Sequence, residues 1–83
     1  MGENQVDILR SGFLADGRFF SIEAGRLKGG SWGAWMVCVP SETAIEKDES
    51  HAIRVVGRKE LLSKWAGELS REEIEGIAEG RYD

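Results

Sequence analysis

The 83-residue sequence predicts an α+β fold: a four-stranded, mostly antiparallel sheet made from N-terminal β-hairpins, followed by one or two C-terminal helices packed on one face. Three observations carry that prediction. Strand-like residues flank Asp16-Gly17, a dipeptide that favours a tight hairpin turn. The segment Ala34–Val39 is apolar throughout and Pro40, which cannot donate to a ladder, stands directly behind it. From Arg58 onward the apolar residues recur with a helical period.

In chain order, residues 1–5 are polar and read as a frayed end. A two-residue type I′ turn at Asp16-Gly17 sets the first register: Ala15 opposite Arg18, Leu14 opposite Phe19, Phe13 opposite Phe20, Ser11 opposite Ile22 and Arg10 opposite Glu23. The last pair places opposite charges across the ladder. One face then carries Leu9, Phe13, Phe20, Ile22 and Ala24, and the other carries Leu14 and Phe19 with Gly12, Ser21 and the ion pair. Gly25 to Gly33 reads as a loop made basic by Arg26 and Lys28. The Ala34–Val39 strand shows Trp35, Val37 and Val39 on one side and Ala34, Met36 and Cys38 on the other, the pattern of a central strand covered twice.

Ser41 to Ser50 reads as a loop or as the outer part of a hairpin turning at Asp48-Glu49. His51 to Val56 is the fourth strand, ended by Gly57. Leu61, Leu62, Trp65 and Leu69 form the stripe of a first helix that covers one sheet face. Ser70 and Glu73 have the spacing of a capping box, so a second helix starts at Arg71, buries Ile74, Ile77 and Ala78, and stops at Gly80. One helical layer hides one face of a sheet. Leu14, Phe19 and one side of the Ala34–Val39 strand are left as an apolar patch, to be covered by the second helix or by another chain.

The length suits one small domain, 1–83, and 41% hydrophobic with 31% charged residues is an ordinary globular balance. A single cysteine excludes an internal disulfide. The N-terminus lacks a basic start with an apolar run behind it, Val6 stands where a myristoylation signal has Ser or Thr, and the Ala34–Val39 run is too short to span a bilayer. These features read as a cytoplasmic protein without a membrane partner. Net charge is −4, and residues 1–40 are neutral, so the whole excess lies in residues 41–83. Glu68, Glu72, Glu73, Glu75, Glu79 and Asp83 face only Arg71 and Arg81 at the end of the chain, which reads as a solvated helix face or a surface for a basic partner.

No catalytic, metal or cofactor set emerges. His51 is the only histidine and reads as a surface residue, while Cys38, inside an apolar strand, reads as a small hydrophobe. Together they fall short of a zinc set, and no carboxylates have calcium-loop spacing. Gly25 and Gly30 have phosphate-loop spacing with Ser31 following, but the lysine is missing and the loop opens onto a strand, so a hairpin connection is expected there. Arg18, Arg26, Lys28, Phe19 and Trp32 could together hold a single-stranded nucleic acid, against the overall charge; the glutamates of the last helix would repel DNA.

The function these readings support is a non-enzymatic protein-binding module, homodimeric or partner-bound. Leu14, Phe19 and Trp32 would be its apolar contacts and Arg26 and Lys28 its polar rim. In size, charge and layout the chain resembles the small sheet-plus-helix inhibitors that phages and mobile elements encode against host defence systems, anti-CRISPR proteins among them; no residue motif carries the likeness, so no functional residue follows from it. Single-stranded nucleic-acid binding is the alternative, with the acidic last helix as a mimic of DNA charge the third reading.

Overall fold

The computed structural model describes residues 6–39 and 51–80; the expectations for residues 1–5 and 41–50 lie outside them. Strands β1 (Val6–Phe13), β2 (Phe19–Arg26), β3 (Trp32–Val39) and β4 (Arg54–Val56) precede helices α1 (Lys59–Glu68) and α2 (Arg71–Ala78). The strands form one antiparallel sheet in sequence order, β1-β2-β3-β4, so this is a meander with the two helices following it. Both helices bury their apolar residues against the same sheet face: Leu62, Ala66, Leu69 and Ile74 pack with Phe20, Ile22, Ala24, Ala34 and Met36. The second helix therefore does not wrap around to the other face.

The first hairpin differs from its expected register. The Gly17 N–H donates to Leu14 O (3.0 Å) and the Leu14 N–H to Arg18 O (2.7 Å), which closes a three-residue loop in which Gly17 alone has positive φ, at 94°. That is a type I turn followed by a left-handed glycine, whereas a type I′ turn needs positive φ at Asp16 as well. The pairing moves by one residue: Phe13 faces Phe19, Gly12 faces Phe20, Ser11 faces Ser21 and Arg10 faces Ile22. A one-residue slip exchanges the two faces of a strand. Leu14 consequently enters the core, Phe13 leaves it, and the expected Arg10–Glu23 pair does not form. A bulge at Leu9 shifts the ladder again, so that Ile8 faces Glu23 and Asp7 faces Ala24.

The second hairpin uses the same hydrogen-bond pattern, with the Gly30 N–H on Leu27 O (3.0 Å) and the Leu27 N–H on Ser31 O (2.7 Å). Gly29 and Gly30 sit at φ of 90° and 95°, conformations that side chains disfavour. The expected Gly25–Gly33 loop is thus shorter: Gly25 and Arg26 end β2, while Trp32 and Gly33 begin β3. The fourth strand is also shorter than expected, starting at Arg54 in place of His51. In α1 Leu62 and Ala66 are buried, with Leu69 buried just behind them at the C-cap, Trp65 half-buried and Leu61 turned out at 48% exposure. The capping box of α2 forms as read, with the Glu73 N–H on Ser70 Oγ (3.0 Å) and the Ser70 N–H on Glu73 Oε1 (2.8 Å). Gly80, at φ 81°, follows the helix.

Candidate functional site: an apolar rung and a divided charge

The register decides what the helix-free face shows. Going across β1, β2 and β3, one rung on that face is Phe13, Phe19 and Val39, and the next is Ser11, Ser21 and Val37. Farther along come Ile8, Glu23 and Trp35, then Gly25, Gly33 and Val55. Among the described residues, five of the six exposed large hydrophobics lie here, and the first rung is the contiguous group: Phe13 at 64%, Phe19 at 38% and Val39 at 58% exposure. The two phenyl rings meet edge to face, with centroids 5.4 Å apart and planes at 72°. The middle of the face is closed. Trp35 is only 2% exposed and lies against the backbone of Gly25 and Gly33, with Leu27 beside it. Ser21 is buried too and donates to Glu23 Oε2 at 3.2 Å.

The five predicted partner-binding residues do not converge. Phe19 alone is on the rung. Leu14, 4% exposed, belongs to the core and offers no surface. Trp32 packs against the core on the helix side, opposite Arg26, with Lys59 Nζ 5.8 Å from its ring centroid. Arg26 and Lys28 are exposed at the far end of β2, at and beyond the strand terminus. A two-residue turn points Phe13 inward, whereas the three-residue loop, equally compatible with Asp-Gly, pairs it with Phe19; Val39 lies on one of two strand sides between which the alternation alone does not choose.

The charges are divided between the ends of the sheet. At the β1–β2 end the cations are engaged. Arg18 Nε meets Asp16 Oδ2 at 2.8 Å, Arg71 meets Glu75 Oε2 at 3.2 Å, and Arg10 donates to Ala66 O and Leu69 O at 2.9 and 2.8 Å. Glu75 also accepts the Ala15 N–H at 2.8 Å, tying α2 to the hairpin tip. Two of the α2 glutamates, Glu73 and Glu75, thus serve internal bonds. The Arg18 N–H donating to Asp16 Oδ1 holds the Asp16 carboxyl below its ordinary value. At the opposite end, Lys59 pairs with Asp7 and Arg54 lies 5.7 Å from the Trp65 ring centroid. The side chains of Arg26, Lys28, Arg58 and Lys64 have no hydrogen bond or ion pair among the described residues.

For chemistry, the inventory is thin. Burial against the core pushes the Cys38 thiol up, so its thiolate is scarcer than in a free cysteine. His51 is exposed. Among the described residues no three His, Cys, Asp or Glu side chains are grouped to hold a metal ion, and no helix is long and apolar enough to cross a membrane. The Leu27–Ser31 loop spends its Leu27 and Gly30 N–H groups on its own carbonyls.

The fold defines the class: an antiparallel meander with a pair of C-terminal helices on one face. No family model, no curated protein and no solved structure matches the chain.

Proposed function

We propose that the protein is a non-enzymatic protein-binding module that docks through the Phe13–Phe19–Val39 rung of its helix-free sheet face. The observation that carries this reading is the rung itself: two phenyl rings and a valine side by side on three adjacent strands, each more than a third exposed. Fully burying one such side chain is worth about 1.5–3 kcal/mol, so leaving three of them wet forgoes several kcal/mol that a partner surface would recover. The rung also includes β1, through Phe13, and β1 is an edge strand whose outer side pairs with nothing among the described residues and which can be extended by a further strand. Trp35 and Ser21, already buried, form the floor beside the rung and are not contacts.

The test is Phe19→Asp, made alongside the parent protein. The parent should bind an apolar fluorescent dye and show a molar mass by light scattering that rises with concentration. The variant should lose both properties while keeping its circular dichroism spectrum. Loss of the spectrum would place Phe19 in the core and end the rung reading. Equal dye binding and equal mass in the two proteins would end it as well.

A further inference from the structure

Net charge argues against a nucleic-acid partner, but net charge is a sum over ends that do not act together. The β1–β2 loop and the β2–β3 loop lie at opposite ends of the eight-residue strand β2, a separation of about 25 Å. Electrostatic screening in physiological salt acts over about 8 Å. A polyanion approaching the β2–β3 end therefore meets the local charge, with the Asp16 and Glu75 end largely screened. Locally the cations dominate. Arg26 and Lys28 come from the second hairpin, Arg58 from the start of α1 and Lys64 from its second turn, all four with unengaged side chains among the described residues. Arg54 and Lys59 add two more, held on Trp65 and Trp32. The acidic side chains described on the same elements are Asp7, already paired with Lys59, Glu60 in the first turn of α1, Glu68 at its far end, and Glu23, which accepts from Ser21 on the helix-free face, four against the six cations.

We propose that this end of the molecule binds the backbone of a single-stranded nucleic acid, with Arg26, Lys28, Arg58 and Lys64 as the phosphate contacts. Arginine and lysine around phosphate supply nearly all the affinity of non-specific binding. A single strand fits better than a duplex for one reason on the surface itself. Leu61 sits midway between Arg58 and Lys64 at i+3 spacing and is about half exposed, so an apolar contact lies among the cations. An unstacked base offers a face for it, whereas a duplex turns its bases inward. Neither described helix is presented to a major groove, since α1 packs on the sheet and α2 is acidic.

The experiment is a fluorescence-anisotropy titration of a labelled oligothymidylate from about 20 to 200 mM salt. Each neutralised phosphate on a single strand contributes a slope of about −0.7 in log affinity against log salt, so four contacts give about −2.8 and a loss near 50-fold between 50 and 200 mM. Lys28→Glu combined with Arg58→Glu should weaken binding by more than about 10-fold and halve the slope. Arg18→Ala, at the other end, should leave both unchanged. A circular dichroism spectrum for the double variant guards against misfolding, and the slope of the parent protein is a measurement that needs no variant. No binding at 20 mM salt overturns the proposal, as does an unaltered slope in the double variant. Duplex bound as tightly as the single strand overturns it, and polyglutamate competing as well as the oligonucleotide would reassign the end to an acidic protein.

Discussion

Trp35 and its glycines show how one residue shapes the helix-free face. A Cβ added to Gly33 would lie 3.0 Å from Cη2 and 3.1 Å from Cζ2 of the indole, and 3.3 Å from Leu27 Cδ1. At Gly25 it would lie 3.2 Å from Cζ3. Two effects compete on substitution. Replacing glycine in a strand gains about 0.5–1 kcal/mol of backbone entropy, whereas crowding a packed site costs about 1–3 kcal/mol. The obstacle is a buried ring with Leu27 beside it, so crowding wins, and Gly33→Ala should lower stability by about 1 kcal/mol in urea denaturation. Gly67→Ala, exposed in α1 with nothing beyond its own helix backbone and chain neighbours within 4 Å of the new methyl, should raise it by a similar amount. Equal signs for the pair would mean that the indole gives way. Composition alone could not separate these roles: Gly29 and Gly30 serve the backbone angle, Gly25 and Gly33 serve close approach, and in the sequence all four look like one loop.

Among the elements, local patterns were legible and long-range ones were not. The capping box of α2 spans four residues and needs no tertiary information, so Ser70 and Glu73 could be read directly. The period-two alternation of β3 likewise separates Trp35 from Met36, which lie on opposite faces of the sheet, but it does not say which face the helices cover. The hairpin register was underdetermined, because Asp-Gly supports both a two- and a three-residue loop and only the burial of Leu14 under the helices selects one. That choice also redirects Arg10. Opposite Ile22 it faces the helices, and α1, which has no basic residue in its last turn, receives its guanidinium on two terminal carbonyls. A cation there satisfies orphan acceptors and opposes the negative end of the helix dipole. Arg10→Ala should therefore cost about 1–3 kcal/mol, read as a lower urea midpoint at unchanged slope, with Arg10→Lys recovering part of it. A loss below about 0.5 kcal/mol would show that water caps α1 equally well.

For the whole molecule, the two binding proposals and the edge of β1, unpaired on its outer side among the described residues, make separate claims about where protection from solvent should be found. Native-state hydrogen exchange tells them apart, since amides in a cooperative core open only with global unfolding and those at edges open locally. Strand β2 is hydrogen-bonded on both sides along its length, by β1 and by β3, and its amides should exchange slowest. In β1, amides directed at β2 should be protected and the alternate ones, directed outward, should exchange quickly. β4, three residues long, should be the least protected strand. Docking through the Phe13–Phe19–Val39 rung covers side chains and leaves that alternation in β1 intact at every concentration. Strand addition would instead protect the outward β1 amides as protein concentration rises, moving the interface from the face to the edge. An oligonucleotide at the β2–β3 end should slow exchange in the Leu27–Ser31 loop and the first turns of α1 without touching either β1 pattern. Protection that spreads into β1 on adding the oligonucleotide would mean that the two ends are coupled, and that the division of charge is not a division of function.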